Sequence, residues 1–113
     1  MSIIGSIGSA VAGDASTTVT AAGSTLDTAT QLISGFCVIT TATSLQGVKL
    51  QAGLTGDCQV VYNNTGVSIK VYPSVSTSRI NQIAIGGAMV LADKTLAVFY
   101  FVSSTLHACS LSS

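Results

Sequence analysis

The sequence is poor in charge. Of its 113 residues only 7% are charged: Asp14, Asp27, Asp57 and Asp93 against Lys49, Lys70, Arg79 and Lys94, with a formal net charge of zero and no glutamate. Four scattered cations leave no electrostatic footprint for a phosphate backbone, so a nucleic-acid partner is not expected. Long apolar runs are missing as well; none approaches the ~20 residues a membrane helix needs, and no membrane partner is expected. Tryptophan is absent and Pro73 is the single proline. Intrinsic disorder is excluded from the other side, because hydrophobic residues reach 48% and mean hydropathy is +0.66. A soluble monomer ordinarily carries more charge and stays away from zero net charge. Much of this surface is therefore expected to be covered, by copies of the chain or by a larger assembly.

Groups able to do chemistry are also few. His107 is the only histidine. Ser104 and Thr105 lie beside it, but no acid is close in sequence and no nucleophile elbow exists, so a surface or interface imidazole is expected. The four aspartates fall at no spacing that suggests paired carboxylates or a calcium loop. Gly5-x-x-Gly8 lacks the Lys-Ser/Thr of a phosphate loop. Cys37, Cys58 and Cys109 are odd in number and form no C-x-x-C motif, which excludes a fully disulfide-stapled framework. They read as core residues of a protein made in a reducing compartment such as bacterial cytoplasm. No catalytic, metal-ligating or cofactor-binding residues are expected, and no enzymatic activity.

What is abundant is hydroxyl: 16 Ser and 14 Thr, joined by 11 Gly. Such side chains suit β-structure and close surface packing. Residues 1–23 read as an extended Gly/Ser/Ala-rich arm and residues 24–113 as a single β domain. The stretch Ser2 to Gly13 is similar to part of a signal peptide. It lacks a basic n-region, the first basic residue being Lys49, and Gly5 and Gly8 interrupt its apolar core, so it is expected to be retained. Ile3, Ile4, Ile7, Val11 and Val19 are the apolar residues of the arm and its expected contacts to a larger assembly or a neighbouring subunit.

A short helix is predicted from Ser24 to Ile33, with Asp27 in capping-box position and Leu26, Ala29, Leu32 and Ile33 on one face. Strand-like runs follow at Phe36–Ala42, Gly47–Leu50, Asp57–Tyr62, Val67–Tyr72 (ended by Pro73), Ile80–Ile85, Ala88–Leu91, Thr95–Val102 and Leu106–Leu111. Asn63-Asn64-Thr65-Gly66 reads as the turn of a hairpin, and it also spells a glycosylation sequon. About eight short strands with no sequence repeat of 20–50 residues predict an antiparallel β-sandwich or jelly-roll-like barrel. Alternation predicts Val60, Ile69, Val71, Leu91, Val98, Tyr100 and Val102 inside, and a cost on the order of 1–3 kcal/mol for Val98→Ala.

The succession Gly47-Val48-Lys49-Leu50, Gly56 to Asn64, Ile69-Lys70-Val71-Tyr72-Pro73 and Ile80-Asn81, closed by Thr95 to Phe101 and Ser103 to Ala108, resembles a module of tailed-bacteriophage virion proteins. Small capsid decoration (cement) proteins and head or tail fibres carry it. The resemblance covers about two-thirds of the chain, from Leu32 to Ala108. It departs at Gln51, where the family usually has proline, and at Leu106, where it often has tryptophan. It implies a homotrimeric β-structure on the outer surface of a phage head, whose partner is the major capsid protein. The absence of a long fibrous segment favours a cement protein over a fibre. A fibre or glycan-binding module is the alternative, with Tyr62, Tyr72 and Tyr100 as stacking residues and Tyr62 and Tyr72 flanking one hairpin.

Overall fold

The structure, a computed structural model, describes residues 15–112. Its strands are β1 (Ala15–Thr20), β2 (Thr30–Gln31), β3 (Phe36–Thr41), β4 (Gly47–Lys49), β5 (Cys58–Asn63), β6 (Ile69–Tyr72), β7 (Arg79–Ile80), β8 (Met89–Leu91), β9 (Leu96–Ser103) and β10 (Leu106–Ser112). They form a six-stranded sheet in the order β1-β3-β5-β9-β10-β7 and a four-stranded sheet in the order β2-β4-β6-β8. The chain is all-β, as its hydroxyl-rich, β-branched runs imply.

From β1 to β6 the chain alternates between the two sheets. Strands β1, β3 and β5 pair in parallel in one, and β2, β4 and β6 in parallel in the other. The first half is thus a short coil of three turns, wound like a solenoid. The second half closes it with antiparallel pairing, β8 against β6, β9 against β5 and β10 against β9, while β7 joins β10 in parallel.

The expectation of an antiparallel sandwich or jelly-roll-like barrel is corrected here: the described residues form ten strands in two mixed sheets. Alternation of apolar and polar residues has the same period in either pairing, so it cannot report strand direction. Nor does the coil show in the sequence as a repeat. Ala15 sits opposite Phe36 and Phe36 opposite Val60, steps of 21 and 24 residues (15 to 36, 36 to 60). In the other sheet the steps from Thr30 to Val48 and from Val48 to Val71 are 18 and 23 residues. Unequal loops hide the period. The expected hairpin at Asn63–Gly66 is a corner between sheets, because β5 and β6 do not pair.

No helix forms at Ser24–Ile33. Thr28 and Ala29 N–H groups both donate to the Thr25 carbonyl, at 3.2 and 3.0 Å, which makes a single turn. Further bonding is diverted to side chains: the Thr25 and Thr28 hydroxyls lie 2.8 Å apart, and each exchanges bonds with the other residue's backbone. Threonines that bond locally in this way compete with helical continuation. Gly23, at φ 65°, sets the turn's entry, and a Cβ there would come within 2.2 Å of the Thr28 hydroxyl. Ile33, expected on the buried face, is 76% exposed.

The two sheets meet over one core. The six-stranded sheet contributes Cys37, Ile39, Val61, Ile80, Ala97 and Phe99, and the four-stranded sheet Val48, Ile69, Val71, Met89 and Leu91; Leu32 and Leu50 sit beside them. Ile69, Val71 and Leu91 are inside as expected. In β9 the register is reversed: Ala97 and Phe99 are buried, whereas Tyr100 and Val102 are exposed and Val98 lies between those limits. Both faces of β9 are apolar, so alternation gave no decision, and a slip of one residue swaps the faces. Val60 is buried as expected, although it lies in the outer row, directly opposite Val98 and Phe36.

The corner after β5 is held by Asn63, which is wholly buried. Its amide donates to the carbonyls of Val67 (2.8 Å) and Leu91 (2.9 Å), and its side-chain oxygen accepts from the Thr65 N–H (3.1 Å) and hydroxyl (2.7 Å). All four side-chain bonding positions of the residue are used. An amide so enclosed is a structural hub rather than a glycan acceptor.

Candidate functional site

The surface feature that stands out is the outer face of the six-stranded sheet. Residues alternate across a strand, so those beside the buried positions point away from the core. On β3 these are Phe36 and Val38, on β5 Cys58, Val60 and Tyr62, on β9 Leu96, Val98, Tyr100 and Val102, and on β10 Ala108 and Ser110. Register joins them into one surface: Phe36 lies opposite Val60, Val60 opposite Val98 and Val98 opposite Ser110. A second row runs from Cys58 to Tyr100 to Ala108. Strands β1, β3, β5, β9 and β10 carry no Asp, Lys or Arg, and their one titratable imidazole points inward. The only formal charge in the sheet is Arg79, on the far edge strand.

Rows of aromatic and β-branched residues on adjacent strands support one another laterally. Tyr100 is nonetheless 41% exposed and Val102 42%. Interface cores are commonly built from uncharged apolar faces of this kind.

His107 is corrected from the surface to the interior, being 2% exposed. Its ring meets Phe101 edge-on, with centroids 5.3 Å apart. The Ser74 backbone N–H donates to His107 Nε2 at 3.3 Å, and the Ser74 hydroxyl lies 3.0 Å from the same nitrogen. Nε2 therefore acts as acceptor, which places the proton of the neutral ring on Nδ1. Burial lowers its pKa from the ordinary 6.5, because the charged form loses solvation. The sequence neighbours Ser104 and Thr105 are not its partners. Ser74, 33 residues upstream, was not foreseeable, since nothing local connects the loop after Pro73 to β10. Among the described residues no carboxylate bonds this ring, so the pair lacks the orienting acid of a nucleophilic site.

No disulfide joins the cysteines. Cys37 is buried and its thiol donates to the Ser34 carbonyl at 3.2 Å. Burial pushes Cys109 up to about 11. Cys58 is raised too, first by desolvation and then by the neighbouring Asp57 carboxylate. Thiols held in their protonated form are poor nucleophiles. Cys58 lies in the outer row, not the core. Among the described residues no three His, Cys, Asp or Glu side chains gather as a metal site.

Of the residues expected to contact a capsid or subunit, Val19 is partly buried against the protein's own core. Ile3, Ile4, Ile7 and Val11 lie outside the described residues. The last part of the expected arm is strand β1, paired to β3 along the sheet edge. Tyr72 is buried, with its hydroxyl donating to the Ser24 carbonyl at 2.6 Å, and it sits in the other sheet from Tyr62. The two do not flank a hairpin. Compared with models of known protein families and with curated proteins, the chain matches none.

Proposed function

We propose that this protein is a structural component of a phage virion: a decoration protein that docks, as a homotrimer, on the outside of the head and stabilises it. The observation that carries the reading is the uncharged outer face of the six-stranded sheet. Interface cores are depleted in charge, and hydroxyls can satisfy hydrogen bonds there without the desolvation cost of ions. The resemblance of residues 32–108 to tailed-phage virion modules supplies the partner, a major capsid protein. Ile3, Ile4, Ile7 and Val11 belong to the same proposal as contacts to the capsid or to a neighbouring subunit. Many copies, each adding buried area across a capsomer joint, act together against internal pressure.

Native mass spectrometry of the purified protein, followed by co-sedimentation with undecorated heads, tests this. A trimer that sediments with the heads supports it; a strict monomer without affinity for them overturns it. The fibre or glycan-binding alternative rests on Tyr62 and Tyr100. These share the outer face but sit in different rows, Tyr62 opposite Leu96 and Tyr100 opposite Cys58.

A further inference from the structure

The connection from β6 to β8 runs from Pro73 to Ala88 and is held in two different ways. Its middle, β7, is anchored. Ile80 is wholly buried, and the Arg79 and Asn81 N–H groups donate to the Thr105 and His107 carbonyls at 3.1 and 2.8 Å. Its first part, Ser74 to Ser78, belongs to no strand. There the Ser74 N–H donates to His107 Nε2 at 3.3 Å, and the Ser74 hydroxyl lies 3.0 Å from the same nitrogen. The Ser78 hydroxyl adds one long bond, 3.3 Å, to the Ser104 carbonyl. Two more bonds stay within the connection, from the Ser78 N–H to the Val75 carbonyl at 3.1 Å and from the Gly86 N–H to the Ser78 carbonyl at 2.7 Å. The hold of β10 on Ser74 therefore depends on an unprotonated Nε2. If a proton arrives there, the hydroxyl can turn and accept it, but the backbone N–H cannot turn, and two N–H groups then oppose each other.

We propose that Ser74–Ser78 is an acid-released flap: protonation of His107 frees it from β10, while β7 and the core stay in place. The surroundings offer the cation nothing else. β7, β9, β10 and the whole Pro73–Ala88 connection carry no carboxylate. Asp57, whose carbonyl accepts from the N–H of Phe101, turns its carboxylate to the Leu54 N–H at 2.8 Å. Arg79 stands opposite Leu106, in the row that alternation turns away from Ile80 and His107, and its Nε donates to the Asn81 carbonyl at 3.3 Å. On β10 the Cys109 thiol, raised to about 11, stays neutral, and on β9 Tyr100 points to the outer face. On β6 the Tyr72 hydroxyl is bonded to the Ser24 carbonyl, and Lys70 lies outside the four-stranded sheet. A buried imidazolium without a counter-charge is stable only once water reaches it, and opening the flap admits water. With the flap closed, burial keeps the ring neutral below its ordinary 6.5. The turn before Gly87 moves with the flap, through the Gly86–Ser78 bond. The device is a property of the single chain and does not rest on the virion reading.

An NMR pH titration with amide exchange, on the unmodified chain and on His107→Gln, tests the flap. In the unmodified chain the Ser74 and Gly86 amide resonances should shift with the same midpoint as the His107 ring. Below that midpoint the Ser74 amide should exchange within about tenfold of an unstructured amide, while the Asn81, Val61 and Phe99 amides stay protected by about a thousandfold or more. In His107→Gln, which cannot titrate, the Ser74 and Gly86 amides should not change over that range. If that variant does not fold, the shared midpoint in the unmodified chain decides. A ring that titrates while Ser74 and Gly86 stay unmoved overturns the proposal. So does a ring that titrates only as Val61 and Phe99 lose protection, which would place proton uptake in the unfolded chain, and so does the same release in His107→Gln.

Discussion

The two sheets face the same core but present opposite outer surfaces. Outside the four-stranded sheet lie Lys49 and Lys70, with Tyr72 folded over Gly47, whose absent Cβ would come within 2.7 Å of the ring. Outside the six-stranded sheet lie Phe36, Val38, Val60, Val98, Tyr100 and Val102, without a charge among them. One surface carries the two lysines, with Val90 exposed beside Lys70. The other is built of the same residue types as the core, with Tyr100 and Val102 exposed, Phe36, Val38 and Val98 half-buried and Val60 covered by its neighbours. With just 8 charged residues in the chain, their placement carries information. They are withheld from one face, the face proposed above as the protein's means of contact.

The contrast between the inner and outer rows of the six-stranded sheet can be broken by truncation. Phe99→Ala removes the largest wholly buried side chain. It should cost about 3–5 kcal/mol in denaturant unfolding, through lost burial and a residual cavity. Asn63→Ala should cost about 2–3 kcal/mol by the same measurement, because the Leu91 carbonyl loses its Asn63 donor inside the protein and the Val67 carbonyl keeps only the Thr65 hydroxyl. Val98→Ala, in the outer row, should cost at most ~1 kcal/mol in the dissociated chain, well short of a core truncation. A cost equal to that of Phe99→Ala would mean that the outer row is already covered.

The smallest effect expected is a pH dependence from His107. Its folded pKa lies below 6.5, so the unfolded chain takes up the proton first as the pH falls. The neutral ring's contribution is intact above about 6.5 and is lost as the pH drops through the lowered folded value. Denaturant midpoints should therefore fall on acidification below neutrality, and His107→Gln should flatten that part of the profile.

Much of the strand content was legible in the sequence, because β-branched alternation marks β3, β4, β5, β6, β8, β9 and β10 to within a residue or two. Pro73 marks the end of β6 correctly, since a proline has no N–H to extend the ladder. Three things were not legible. β2 and its preceding turn read as a helix, because Leu26, Ala29 and Leu32 fall at helical spacing while the Thr25–Thr28 side-chain bonds that prevent it are invisible to periodicity. Strand direction was hidden because a two-residue alternation is common to both pairings. The facing of β9 was hidden because TLAVFYFV is apolar at every second position in either register. The last ambiguity bears on the proposed function, because a strand apolar on both faces is what a sheet with a second, outer contact would need.

The central claim is that the outer face of the six-stranded sheet is an interface and that of the four-stranded sheet is not. Sedimentation velocity on the unmodified chain, Tyr100→Asp and Lys70→Asp tests it most directly, since both substituted side chains leave the core untouched. The account predicts a trimer for the unmodified chain and for Lys70→Asp, and a folded monomer for Tyr100→Asp. A chain that sediments identically in all three forms would contradict it.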